Sequence, residues 1–148
     1  MILIGLPASG KSSFYRGRFA ASHDHVSKDL LRNSRRPDRR QQELVAAALA
    51  HGRSVVVDNT NASAASRAPL LALARAHGAS AIAYFFETDV ADALRRNRGR
   101  EGRARVPDVA IHAIRARLEP PSAGEGFDAC YAVRLNEATG RFDVAPYR

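Results

Sequence analysis

Residues Gly5-Leu6-Pro7-Ala8-Ser9-Gly10-Lys11-Ser12 fill the pattern G-x-x-x-x-G-K-[ST], directly after the apolar run Met1-Ile2-Leu3-Ile4. A strand, a glycine-bounded loop and then a helix, expected here from Lys11 to Ala20, is the setting in which that pattern has a mechanism. The backbone N–H groups of Ala8, Ser9, Gly10, Lys11, Ser12 and Ser13 would surround a phosphate, and the helix N-terminus adds partial positive charge. Gly5 and Gly10 allow backbone angles that a side chain would forbid. Lys11 would reach the β- and γ-phosphates, and the Ser12 hydroxyl would ligate Mg²⁺. The stretch predicts a site for ATP or another nucleoside triphosphate.

Phosphoryl transfer from such a donor needs an oriented acceptor, a metal, and positive charge on the equatorial oxygens. Asp29 can orient and deprotonate an acceptor hydroxyl. Aspartate is a weak base, which suffices when the transition state is loose and the proton leaves late. Asp29 is also a good helix N-cap before Leu30-Leu31, and one residue could serve both ends. Arg32 shares its helix face and could hold an acceptor phosphate, or could be one more solvated arginine. Asp58, at the end of an apolar strand, would hold Mg²⁺ directly or through water beside Ser12. Thr60 and Asn61 are either acceptor contacts or turn formers. Arg96 and Arg100 stand one helical turn apart and could both point at the triphosphate if the following segment closes as a lid. Spacing does not single them out from Arg95, Arg98, Arg103 and Arg105.

Other chemistries find no support. The five histidines are scattered without metal-ligand pairing, Cys130 lies in an apolar strand, and there is no G-x-S-x-G element. A single cysteine excludes an internal disulfide and fits a reducing cytoplasm. With only four residues in the first apolar run, neither a signal peptide nor a membrane span is expected. Net charge is +8, the excess being arginine, and the arginines crowd into 32–40 and 95–105. Arginine forks match phosphate geometry, so a polyanionic partner is expected, although genome composition would also raise the total.

The positioning elements follow from periodicity. Strands are expected at His25–Ser27, Ser54–Asp58, Ala81–Phe86 and Phe127–Leu135, with a terminal edge strand from Arg141 to Tyr147. Between them lies a helix capped by Asp38 and running to about His51, with Leu44, Val45, Ala48 and Leu49 inward. A second runs to His77, with Pro69 in its first turn, where proline is tolerated. A third spans Asp89 to about Asn97, and a fourth opens at Val106-Pro107-Asp108 with Ile111, Ile114 and Leu118 inward. The Arg/Gly-rich segment 98–105 reads as a mobile loop. Alternating strands and helices imply one α/β domain: a three-layer α/β/α arrangement around a mostly parallel five-stranded sheet, with an Arg-rich lid near 96–107. Ligands gather at the carboxyl ends of such strands, where the Lys11 loop, Asp29 and Asp58 all fall.

Taken together, GLPASGKS, Asp29-x-x-Arg32, Asp58-Asn59-Thr60-Asn61, Arg96-Asn97-x-x-Arg100 and Val106-Pro107 resemble the 5′-hydroxyl polynucleotide kinases. These comprise phage end-healing kinases, bacterial RNA-repair relatives and the kinase half of the mammalian DNA-end-repair kinase/phosphatase. Glu119-Pro120 and Glu125-Gly126-Phe127 recur there too, so the likeness runs from residue 2 to about 134. It implies a P-loop kinase fold and transfer of the γ-phosphate of ATP, or another NTP, to a 5′-OH end of RNA or DNA. Carried over, Lys11 and Ser12 bind phosphate and metal, Asp29 is the general base and Arg32 takes an acceptor phosphate. Arg100 is then the lid arginine on the transferring group, with Arg96 near the donor phosphates. The segment between Asn97 and Val106 is one residue longer than in the phage form, which leaves the Arg100 assignment open. With no phosphatase, ligase or tetramerisation segment following, bifunctional repair activity is not expected, and no protein partner is implied.

Two rivals remain at this level. A small-molecule kinase acting on a sugar, nucleoside or antibiotic hydroxyl would use the same Lys11 loop and Asp29. A nucleotide-gated nucleic-acid-binding module would use the loop without catalysis.

Overall fold

In the computed structural model, which describes residues 1–148, the first strand β1 (Ile2–Ile4) is buried on both sides. Ile2 and Ile4 face one way, against Val45, Ala48, Leu70 and Leu71; Leu3 faces the other, against Phe14, Tyr15 and Phe86. Strand side chains alternate, so a strand apolar at every position requires cover on both faces. That cover is α1 (Lys11–Arg18) on one face and α2 (Pro37–Ala50) with α3 (Ala64–Ala76) on the other.

The remaining strands are β2 (Asp24–Val26), β3 (Val55–Asp58), β4 (Ile82–Phe86), β5 (Ala129–Asn136) and β6 (Arg141–Pro146). Their order across the sheet is β2-β3-β1-β4-β5-β6, parallel throughout except for the antiparallel β5–β6 pair. The sheet therefore has six strands, because the terminal ribbon pairs along β5 from Tyr131–Pro146 to Asn136–Arg141. β1 lies between β3 and β4, which sets the loop after Ile4 beside the end of β3.

Helices α4 (Val90–Arg98) and α5 (Asp108–Arg117) pack beyond the sheet, closing over Leu6 through Ala93 and Ile111. Between them the chain makes a short 3-10 turn at Gly102–Ala104. No helix is long and apolar enough to cross a membrane.

Three local expectations are corrected. α1 ends at Arg18, two residues before Ala20. Arg36 stands at the cap position of α2, with Pro37 at its first position and Asp38 inside the first turn. Pro69 sits in the second turn of α3, on its exposed face, where the carbonyl it leaves without an amide partner, at exposed Ala65, can take water.

Arg67, completely buried, buckles the C-terminal part of the chain to the loop after β3. Its guanidinium donates to both Glu125 carboxylate oxygens at 2.7 and 2.6 Å, to the Asn61 carbonyl at 2.9 Å and to the Glu119 carbonyl at 3.0 Å. Glu119 in turn accepts from the Ala64 amide, which fastens the start of α3. Burial pushes the Glu125 carboxyl up, but the bonds from Arg67 and the Ser122 amide outweigh it and hold it below its ordinary value.

Removing one partner of a buried pair strands the other, at about 3–5 kcal/mol. Arg67→Met is expected to lose about that much stability in urea unfolding. Because the Glu125 carboxyl is lowered in the fold, its contribution is present above the unfolded carboxylate pKa and fades as pH falls below it. The gap between wild type and Glu125→Gln should therefore shrink in acid; a gap independent of pH would contradict the pairing.

Candidate functional site

The chain leaves β1 into a loop with two demanding glycines. A Cβ on Gly5 would lie 2.8 Å from Phe86 Cβ, and one on Gly10 would lie 2.9 Å from the Phe142 ring, with φ at +95°. Ala8 also takes a left-handed φ of +61°. The Gly5 amide donates to the Thr60 carbonyl at 3.1 Å, tying this loop to the one after β3. The amides from Ala8 to Ser13 have no protein partner, so a cradle of donors lies at the start of α1.

Lys11 is buried inside that cradle. Its ammonium donates to the carbonyls of Leu6 at 2.6 Å and Gly5 at 3.0 Å, and to Ser9 Oγ at 3.3 Å. Burial lowers its pKa to about 8; Asp58 opposes the shift, Arg100 adds to it and Asp29 opposes it. All three charged groups are thus within electrostatic reach of the lysine.

Beside it, Ser12 Oγ donates to Asp58 Oδ2 at 2.7 Å, and His25 Nε2 meets the same oxygen at 2.9 Å. His25 stacks on Tyr15 with ring centroids 4.1 Å apart, and the Tyr15 hydroxyl is itself fixed on the His23 carbonyl. A serine whose hydrogen is held by a carboxylate turns its lone pairs outward. With a buried aspartate next to it, this is a hard-oxygen donor set suited to Mg²⁺. Ser12 and Asp58 therefore fit the predicted metal.

Asp29 lies in a 3-10 turn, Lys28–Leu31, and Arg32 follows as its C-cap; the N-cap is Ser27 rather than Asp29. Ser27 Oγ accepts from the Asp29 amide, which leaves the Asp29 carboxylate clear of capping and 85% exposed. Asn59 sets the turn: its Oδ1 accepts from the Lys28 amide at 2.8 Å while its Nδ2 donates to Gln41. Arg32 is 3.7 Å from Asp29 and donates to the Arg103 carbonyl, so the turn touches the segment between α4 and α5.

That segment is pinned at its base by the fully buried Asn97, which bonds Val106 through both its carbonyl and its amide. Arg100 donates to the Ala104 carbonyl. Arg96 joins that segment to the Lys11 loop: its guanidinium is ion-paired with Glu137 and donates to the Ala8 carbonyl at 3.4 Å.

One open cleft of about 990 Å³ gathers Lys11, Ser12, Asp29, Arg32, Asp58, Thr60, Asn61 and Arg100, together with Ala8 to Gly10 and Ser13. Arg96 is not among its lining residues. Thr60 turns its backbone to Gly5 and keeps its hydroxyl without a protein partner. Asn61, with a left-handed φ of +44°, donates instead to the Leu3 and Val57 carbonyls and so ties β1 to β3.

Sequence reasoning missed His25 as a support for Asp58. The available signal was strand alternation: His25 pairs with Val56, whose side faces α1, so an imidazole points toward the Lys11 loop's helix.

An AAA domain family model matches residues 1–121. A bifunctional polynucleotide phosphatase/kinase from Schizosaccharomyces pombe is 25% identical over 131 residues, 86% of this chain but 31% of that protein. The chain thus spans about a third of the curated relative it matches. Among solved structures, a gluconokinase from Sinorhizobium meliloti 1021 has a TM-score of 0.66 at 20% identity, covering 92% of this chain and 82% of that one. A chain of the Pnkp1/Rnl/Hen1 RNA repair complex has a TM-score of 0.67 at 23% identity, covering 99% and 47%. At these identities the structural likeness establishes a P-loop kinase fold.

Two outcomes follow from the geometry. An uncharged Lys11 cannot attract a triphosphate, so the affinity of the apoprotein for a fluorescent ATP analogue should fall as pH rises through about 8. Lys11→Arg should remove that dependence near 8; a wild-type profile flat across this range would contradict the buried-lysine account. His25→Phe keeps a ring against Tyr15 but removes the hydrogen bond to Asp58. The Mg²⁺ concentration needed for half-maximal analogue binding should rise about tenfold.

Proposed function

The chain belongs to the AAA domain family, and from that premise we propose that it is an ATP-dependent kinase acting on the 5′-hydroxyl end of a nucleic acid strand. One observation carries the reading. The exposed Asp29–Arg32 pair opens into the same cleft as Lys11, Ser12 and Asp58, so an acceptor hydroxyl and a donor phosphate can meet there. The cationic acceptor side, with Lys28, Arg32, Arg103 and Arg117, supports an acceptor that carries several phosphates.

In this reading the amides from Ala8 to Ser13 hold the donor's phosphates, and Lys11 leaves the Leu6 carbonyl for the β- and γ-phosphate oxygens. Mg²⁺, held by Ser12 and by Asp58 directly or through water, would neutralise charge between those phosphates. Asp29 accepts the hydrogen bond of the 5′-hydroxyl, aims the hydroxyl's lone pair at the γ-phosphorus and takes its proton as the new P–O bond forms and the bond from the γ-phosphorus to the β–γ bridging oxygen breaks, ADP being the leaving group. Arg32 holds a phosphate of the acceptor. Arg100 turns from the Ala104 carbonyl to the equatorial oxygens of the transferring group, where charge accumulates. The resemblance to polynucleotide kinases and the distant S. pombe relative support this acceptor class.

Labelled ATP should transfer phosphate to a 5′-OH oligonucleotide, and Asp29→Ala should lower the rate by about 10²–10⁴ while ATP still binds. Transfer confined to sugars, nucleosides or antibiotics, or an undiminished rate in Asp29→Ala, would contradict the proposal.

A further inference from the structure

The cleft carries more positive charge than phosphoryl transfer uses. Its only acids are Asp29 and Asp58, while its cations are Lys11, Arg16, Lys28, Arg32, Arg100, Arg103 and Arg117. Outside the cleft some arginines are paired with acids, Arg39 and Arg40 with Glu43, Arg53 with Asp24, Arg67 with Glu125, Arg95 and Arg96 with Glu137, and Arg134 with Glu87, and others stand in solvent. Arg103 and Arg117 have no ion-pair partner, and both are exposed. An unneutralised arginine at a cleft wall faces an anion or nothing.

Their positions are defined by bonds. The Arg103 carbonyl accepts from Arg32, so Arg103 borders the acceptor turn on the lid side. Arg117 is at the last turn of α5, two residues before Glu119, which bonds the Ala62 carbonyl through its amide and the Ala64 amide through its carboxylate. Arg117 therefore stands over the chain that follows Thr60 and Asn61. The acid nearest in sequence, Glu119, is already committed to the start of α3. Between the two arginines the cleft is lined by Ala62, Ser63, Ser66, Ala104, Val106 and Ile114, with no aromatic side chain.

We infer that Arg103 and Arg117 form a second phosphate-binding wall, which holds the acceptor strand's backbone beyond the nucleotide at Arg32. This deepens the kinase reading, on which it rests for the identity of the strand. Binding by arginine forks without an aromatic platform makes the contact backbone-directed and indifferent to base sequence.

Fluorescence anisotropy with a labelled 5′-OH single strand tests the wall without requiring turnover. Each phosphate contact on a single strand contributes about 0.7 to the slope of log affinity against log salt. The double variant Arg103→Ser/Arg117→Ser should bind a long single strand about tenfold more weakly, with the slope shallower by about 1.4. The loss should be greater for the long strand than for a dinucleotide, which has one phosphodiester. Arg53→Ser, at the opposite end of the sheet, should match wild type.

Wild-type affinity and slope in the double variant would overturn the wall, whether or not the protein transfers phosphate. An equal loss for dinucleotide and long strand would overturn it too. If the variant behaves as expected but wild type phosphorylates no 5′-OH strand, the wall stands and the kinase reading falls.

Discussion

The hydrogen bond from Ser12 Oγ to Asp58 Oδ2, 2.7 Å long, joins two segments that are 46 positions apart in the chain. It exists because β1 and β3 are adjacent and parallel, so both end on the same rim of the sheet. The backbone supports it from below, where the Gly5 amide meets the Thr60 carbonyl and the Asn61 side chain bridges Leu3 and Val57. Any shift in register between β1 and β3 would move serine and aspartate apart together with the loops that carry them. The distant buckle of Arg67 and Glu125 acts on the same segment through the Asn61 carbonyl. The conformation of this corner, the proposed metal site, is therefore determined by core packing and buried polar bonds rather than by a flexible loop.

Electrostatics explain why this corner awaits a ligand. Lys11 is desolvated, held by carbonyl dipoles, and only partly compensated by Asp58 and Asp29. The uncommitted amides from Ala8 to Ser13 point the same way. Such an arrangement is poorly satisfied by the protein alone and is relieved by an anion carrying several negative oxygens. On the other side of the cleft Asp29 stays exposed, because Ser27 has taken the capping task. Burial around Lys11 and exposure at Asp29 together support the proposed reading, in which a triphosphate is tightly gripped and the second substrate exchanges.

Much of this was legible in the sequence. The glycine-bounded loop, the all-apolar Val55-Val56-Val57 and the position of Asp58 are local patterns with local causes, so the sheet and its rim followed directly. Asp29 and Arg32 were readable for the same reason, three residues apart on one turn. What escaped depends on partners distant in sequence. Arg67 looks like one more arginine in a basic chain, and only its meeting with Glu125, 58 positions on, makes it a core residue. Arg96, expected near the donor phosphates, does reach the Lys11 loop at the Ala8 carbonyl, but the ion pair that holds it there, with Glu137 just after β5, is a contact that no helical spacing foretells. Pro69 was expected at a helix start because its cost inside a helix is high, and the exposed face of α3 is where that cost is smallest. Local chemistry was visible; long-range compensation was not.

In the proposed reaction, donor and acceptor meet between Lys11 and Asp29. A crystal structure with a non-hydrolysable ATP analogue, Mg²⁺ and a short 5′-OH strand tests it most directly. The terminal hydroxyl should lie within hydrogen-bonding distance of the Asp29 carboxylate, about 3 Å, and in line with the γ-phosphorus above Lys11. A strand end seated away from Asp29 while the analogue occupies the Lys11 cradle would contradict it.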